Sequence, residues 1–416
     1  MKVRITPFTP EGVITAPPSK SVAMRYILLA AVADGKTVIE NVGDSADVLA
    51  AIDCAGSLGA EVDYDGRSVI VYGIKTLPET VDFDFGECGF LLRTVIPVAN
   101  ALGVKFSYRA GGNLSLRPVK PLFNALSESL FKTENGEYYG KATAGKFVID
   151  GSQSSQFISG ILFAAAITKG VSRIKLVGEK VSGGYTGMTL AALDKFGVKT
   201  ETRGDEITVY GGKIVSPKRL VCDGDYSSAA YFLTLGAING SVTVRGLDEN
   251  SNQPDKAIAD ILRNYGAKVN ISGDEITVEA AKIKKPVNVS VKDCPDLAQT
   301  IAVLAAHANG KSVIKDVGRL KIKESDRVDA IIKTLEVAGV KCRSVGGDLF
   351  IFGGAVKGGA FDGGGDHRTV MSQAILAATA DGESVISGAE AVKKSFPSFF
   401  ENLVKTGGSD NVRISR

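Results

Sequence analysis

The sequence predicts an α/β (α+β) protein of two domains, built from six copies of a βαβαββ unit, three in each domain. Three observations carry this. A polar cluster, an apolar run of helical length, a glycine and a β-rich run recur in that order six times. Between these copies, an element that reads as helix end, strand, turn and strand recurs. The recurring helices are apolar nearly all round, so they need strands of separate sheets around them.

The first copy is "SKSVAMRYILLAAVADGKTVIENV" and the second "GECGFLLRTVIPVANALGVKFSY". Then come "SQSSQFISGILFAAAITKGVSRIKLV", "GDYSSAAYFLTLGAINGSVTVRGL", "PDLAQTIAVLAAHANGKSVIKDV" and "GDHRTVMSQAILAATADGESVISGA". Anchors at Ser19, Gly89, Ser155, Ser227, Asp296 and His367 are 70, 66, 72, 69 and 71 residues apart. A glycine follows each anchor after 13 to 16 residues, a position suited to a helix stop before a strand. The second element starts at Gly59, Gly197, Gly266 and Gly339, at intervals of 138, 69 and 73, so one copy is degenerate. It is expected within 121–150, with "ALSESLF" as its helix and "GKFVIDG" as its strand. Six such units exceed one core, and the division into two threes falls at Cys222–Gly224.

Composition narrows the function. Of 416 residues, 44% are hydrophobic and 23% charged, as in a globular protein. Net charge is +3, which argues against a polyanion binder, so nucleic acid is not an expected partner. No apolar run reaches the ~18 residues of a membrane helix, and "MKVRITPFTPEG" has no signal-peptide core. Five scattered cysteines and two histidines point away from a disulfide framework or a zinc site. A reducing cytoplasm fits best.

The helix starts carry the chemistry. A helix N-terminus offers unpaired N–H groups and the positive end of a dipole to phosphate or carboxylate. Ser19, Lys20 and Ser21 add hydroxyls and a cation there, with Arg25 one turn on. Ser154, Ser155 and Gln156 do the same in "GSQSSQF", and "GECG" offers backbone amides at Gly89. Capping is the simpler explanation for each serine, but it does not explain Lys20 and Arg25 in an otherwise apolar helix. In "LKIKESDRVDAIIKTL", Lys323 and Arg327 share a face beside Glu324. Taken alone, these three read as a solvated first turn with a Glu324–Arg327 ion pair. Arg368 in "GDHR", Arg117 before a proline and Lys394 in "KKSFPSFF" complete a set of cations suited to a polyanionic ligand. His367 reads as a structural neighbour of Arg368 rather than a base. Lys20, Asp296 and Glu324 are the acid–base candidates, although Asp296 could equally be an N-cap. No P-loop, G-x-G-x-x-G or Mg²⁺ triad is present in the sequence.

In order and spacing, "PSKSVAMR", "GSQSSQF", "SGGYTGMTL", "PDLAQTIA", "KESDR", "GDHR" and "KSFP" resemble the 5-enolpyruvylshikimate-3-phosphate synthase family across nearly the whole chain. The resemblance implies an inside-out two-domain α/β barrel with a cleft between the domains. Two chain crossings would join residues 1–15 to 224–416, leaving 16–223 as the other domain. It implies transfer of the enolpyruvyl group of phosphoenolpyruvate to the 5-hydroxyl of shikimate 3-phosphate, by a monomer with no cofactor. Ser21, Arg25, Ser154, Ser155, Gln156, Ser182, Tyr185, Asp296 and Lys323 would bind shikimate 3-phosphate. Lys20, Gly89, Arg117, Gln156, Arg327, Arg368 and Lys394 would bind phosphoenolpyruvate. Asp296 would be the general base, and Glu324 with Lys20 would handle the methylene proton.

Some positions depart from the family pattern. Glu87 and Phe90 stand in "GECGFLLR" where the family has asparagine and threonine, Arg93 is kept, and Arg319 replaces a common asparagine. The Phe90 ring must turn into the core or crowd the helix start, and the second outcome would lower sensitivity to glyphosate, the family's inhibitor. The alternatives are a UDP-N-acetylglucosamine enolpyruvyl transferase and a non-catalytic binding module for phosphorylated metabolites. The first would have Lys-Asn in place of Lys20–Ser21.

Overall fold

In the computed structural model, which describes residues 1–179 and 183–415, the strands form six four-stranded sheets of one topology. In each sheet a parallel pair is followed by two antiparallel neighbours. A parallel pair needs a crossover. Arg219–Val221 with Lys36–Glu40 and Glu11–Thr15 with Ser241–Arg245 join strands from either side of the two chain crossings. In the other four sheets the apolar helix between the two strands supplies the crossover. Lys146–Asp150 runs parallel to Gly170–Val177, for example, with helix Ser155–Ile167 between them in sequence. A second helix, Gly183–Lys195, then leads into the antiparallel hairpin Lys199–Arg203 and Glu206–Gly211.

The six apolar helices are Lys20–Val32, Gly89–Leu102, Ser155–Ile167, Tyr226–Asn239, Ala298–Ala306 and His367–Thr379. Their sequences lack a polar stripe, and they are buried accordingly: Tyr226 to Ile238 is buried without a break. Gly103 closes its helix with φ 79°, its N–H reaching the carbonyls of Ala99 and Asn100. Gly170, by contrast, opens its strand at φ 125°, after the helix has already ended at Thr168.

The chain divides into two compact units, Met1–Pro17 with Asp223–Arg416, and Pro18–Cys222. Each has three sheets and its own apolar core. In the first unit, Glu11–Thr15 pairs parallel with Ser241–Arg245, so the residues before the inserted unit complete a sheet formed after it.

Two elements differ from the sequence expectation. The degenerate copy has its helix at Lys120–Ala125, earlier than "ALSESLF", because Pro121 suits a first helical turn. Its hairpin is two strands of two residues, Phe131–Lys132 and Tyr138–Tyr139, while Lys146–Asp150 opens the next sheet. Ring packing supplements that short ladder: Tyr138 lies 5.4 Å from Phe106, 5.4 Å from Phe123 and 5.7 Å from Tyr108. The sixth hairpin is split between the chain ends, Lys2–Ile5 pairing antiparallel with Val412–Ser415, so no contiguous repeat reveals it.

Candidate active site

The second unit positions its charged groups at three helix starts. Ser19 is the N-cap of helix Lys20–Val32, and its side chain makes no capping bond. Lys20 extends to Asp47 in the first turn of helix Ala46–Ser57, with Nζ 2.5 Å from Oδ2. Arg25, one turn further in, is 3% exposed. Its Nε donates to Thr189 Oγ1 at 2.9 Å, Nη1 to the Ser21 carbonyl at 2.6 Å and Nη2 to the Tyr185 carbonyl at 3.2 Å. Burial pushes the Arg25 guanidinium down to about 10, which still leaves it charged at neutral pH.

Gly89 opens its helix where two guanidinium groups converge. A Cβ there would lie 2.9 Å from Nη1 of both Arg117 and Arg93. A side chain at this position would have to displace the end of one arginine or both. Arg93 Nη1 donates to Gln156 Oε1 at 2.6 Å, and its Nη2 donates to the Pro118 carbonyl at 3.1 Å. Ser154 caps helix Ser155–Ile167, its Oγ accepting from Gln156 N at 3.3 Å. Capping therefore accounts for Ser154, and Ser155 is the buried first residue of that helix. The Phe90 ring turns into the core rather than crowding the helix start, and lies 4.6 Å from the Arg25 guanidinium carbon. Ser182 lies outside the described residues.

In the first unit the charges form one network. Arg327 is 1% exposed and meets three carboxylates. Its Nη1 is 3.1 Å from Asp296 Oδ1, its Nη2 2.8 Å from Glu324 Oε2, and its Nε 2.9 Å from Asp366 Oδ2. Arg368 Nη2 donates to Asp296 Oδ2 at 2.8 Å and to Ser227 Oγ at 3.0 Å. Burial alone would push the Asp296 carboxyl up. Arg368, Lys323 and Arg327 outweigh it and hold the group well below the usual carboxylate range. Lys323 follows the short 3-10 helix Gly318–Ile322, and Lys394, itself buried, ends the turn Ala389–Lys394.

Three expectations sharpen here. Asp296 is not an N-cap: it sits in the turn Pro295–Leu297, and its side chain goes to the two arginines. Glu324 and Arg327 do pair, but in the interior rather than on a solvated turn. His367 is a buried neighbour of Asp366, its Nδ1 3.5 Å from Oδ1. Among the described residues no group of three or more His, Cys, Asp or Glu is placed to hold a metal ion. No helix among them is long and apolar enough to cross a membrane.

Sequence reasoning passed over Asp366, Asp47 and Thr189. Asp366 lies within the quoted "GDHR", directly before a helix, a place that suits a cap. It is a cap, accepting from Arg368 N at 2.9 Å, and it is also the anchor of Arg327. Asp47 carried the weaker signal of an acid in a helix first turn. Nothing in the pattern linked Thr189 to Arg25, 164 residues away.

The family model described as EPSP synthase (3-phosphoshikimate 1-carboxyvinyltransferase) matches residues 7–403. A 3-phosphoshikimate 1-carboxyvinyltransferase of Methanopyrus kandleri is 35% identical over 412 residues, 95% of this chain and 96% of that one. Its counterpart in Methanocaldococcus jannaschii is 33% identical, covering 97% of each chain. An EPSP synthase structure from Acinetobacter baumannii superposes with a TM-score of 0.83 over 100% of both chains at 24% identity, a likeness of fold.

Proposed function

The chain belongs to the EPSP synthase family, and from that membership we propose how its own residues carry the reaction. The enzyme transfers the enolpyruvyl group of phosphoenolpyruvate to the 5-hydroxyl of shikimate 3-phosphate and releases phosphate. In the proposed division of roles, Ser21, Arg25, Ser154, Ser155, Gln156, Ser182, Tyr185 and Lys323 hold shikimate 3-phosphate. Lys20, the Gly89 backbone, Arg117, Arg327, Arg368 and Lys394 hold the carboxylate and phosphate of phosphoenolpyruvate, a ligand that needs several aimed cations.

Asp296 takes the proton of the attacking hydroxyl while the new C–O bond forms at C2 of phosphoenolpyruvate. Glu324, assisted by Lys20, delivers a proton to the methylene carbon, which closes the tetrahedral adduct. Loss of a proton from the resulting methyl group and departure of phosphate restore the double bond. Lys20, Arg327 and Arg368 stabilise the charge that builds up along the way.

The observation that supports this best is that the Asp296 carboxylate shares Arg327 and Arg368. Those cations make Asp296 a weak base. An anionic substrate that draws on the same donors raises its basicity, so phosphoenolpyruvate prepares its own acceptor's deprotonation. The proposal includes a monomer working without a cofactor, and a reducing cytoplasm suits its five free cysteines. The test is Arg368→Gln. Its KM for phosphoenolpyruvate should rise at least tenfold while the Kd for shikimate 3-phosphate stays within a fewfold. Equal weakening of both substrates would remove Arg368 from the phosphoenolpyruvate role.

A further inference from the structure

The two units treat their buried arginines differently. Arg327 in the first unit is matched by three carboxylates. Arg25 in the second is as deeply buried, yet its hydrogen-bond acceptors are neutral: a threonine hydroxyl and two backbone carbonyls. Among the described residues no carboxylate pairs with it. The guanidinium carbon of Arg25 lies over the Phe90 ring, 4.6 Å from its centroid. Arg93 in the same unit also lies over a ring, 4.8 Å from the centroid of Phe157.

An aromatic face attracts a cation through its quadrupole but accepts no in-plane hydrogen bond. A carboxylate would neutralise the guanidinium, occupy two of its N–H groups and repel an incoming phosphate ester. The ring does none of these. Arg25 has five N–H donors in one plane. Among the described residues three are used by Thr189, Ser21 and Tyr185, so two can serve ligand oxygens. Phe90 is itself held near the start of its helix and is 5% exposed, so its ring is a fixed surface for the guanidinium to rest against.

We propose that Phe90 is a positioning residue for shikimate 3-phosphate: it backs the Arg25 guanidinium in place of a counter-ion and aims its remaining donors at the ligand. This rests on the assignment of Arg25 to that substrate. The experiment measures shikimate 3-phosphate binding by calorimetry for wild type, Phe90→Leu, Phe90→Tyr, Arg25→Met and the Arg25→Met/Phe90→Leu double variant, with thermal unfolding of each. Phe90→Leu keeps an apolar side chain but removes the ring, and is expected to weaken binding by about 5- to 30-fold. Phe90→Tyr keeps the ring and is expected to bind within about twofold of wild type, the size of the weakest cation–π effects. In the Arg25→Met background, Phe90→Leu should cause no further loss.

Wild-type affinity in Phe90→Leu, or an equal loss with and without Arg25, would overturn the proposal and leave Phe90 a packing residue. Wild-type affinity in Arg25→Met is a different failure. It would remove Arg25 from the substrate site, and the role of Phe90 would go with it.

Discussion

Arg327 Nε donates to Asp366 Oδ2 at 2.9 Å, and both side chains are shielded from solvent. The same Asp366 accepts from the backbone N–H of Arg368, so one carboxylate orients a guanidinium and starts the helix that carries a second. Removing it strands a buried cation. Asp366→Ala is expected to lose about 3–5 kcal/mol of stability, reduced to the extent that Asp296 and Glu324 continue to hold Arg327. Asp366→Asn keeps the cap and should lose less, but its turnover should still fall because Arg327 is no longer fixed. Urea unfolding beside steady-state kinetics separates the two effects. Unchanged stability in Asp366→Ala would mean the pair contributes nothing.

The same pairs set a dependence on acid. Burial pushes the Asp296 and Asp366 carboxyls up, but the arginines around them, with Lys323 at Asp296 and His367 at Asp366, bring both below their ordinary value. A carboxyl depressed in the folded state contributes stability that is complete above its unfolded value of about 3.9 and is lost as pH falls below it. Wild type should therefore weaken steeply below about pH 4, in the range where those unfolded carboxylates take up protons. Asp366→Asn should show a shallower slope there. Chemical denaturation measured across pH 2–6 checks this, and parallel slopes would refute it.

Lys20 and Asp47 form the corresponding contact in the second unit. Lys20→Ala should keep its fold, as judged by circular dichroism, and lose about 10²–10³ in kcat as a missing transition-state cation. Asp47→Asn releases the lysine from its partner and should raise the KM for phosphoenolpyruvate more than it lowers kcat. An unfolded Lys20→Ala would favour a structural role for that lysine.

Asp296→Asn keeps the shape of the side chain and removes its basicity. Shikimate 3-phosphate should still bind, while turnover drops by about 10²–10⁴. Turnover within a fewfold of wild type would make Asp296 an anchor for Arg368 and nothing more.

Much of this was legible in the chain. Sixfold spacing and all-round apolar helices gave the repeat, because a buried helix has no polar stripe to keep. The cations at Lys20, Arg25 and Arg368 stood out because an apolar helix has no structural use for them, whereas Arg327 read by itself as half of a solvated ion pair. What stayed hidden was set by distance along the chain. The split hairpin of Lys2–Ile5 and Val412–Ser415 joins strands from opposite ends. Thr189 meets Arg25, and Asp366 meets Arg327, only after folding. Asp366 was doubly concealed, since a cap and a counter-ion look alike when only the residue before a helix is in view.

The most direct measurement is phosphate release from phosphoenolpyruvate by the purified protein, with shikimate 3-phosphate, UDP-N-acetylglucosamine or no acceptor present. Phosphate is expected only with shikimate 3-phosphate, matched one for one by a product carrying the enolpyruvyl ether at the 5-oxygen. Phosphate released without acceptor, or supported by the nucleotide sugar in its place, would contradict the account.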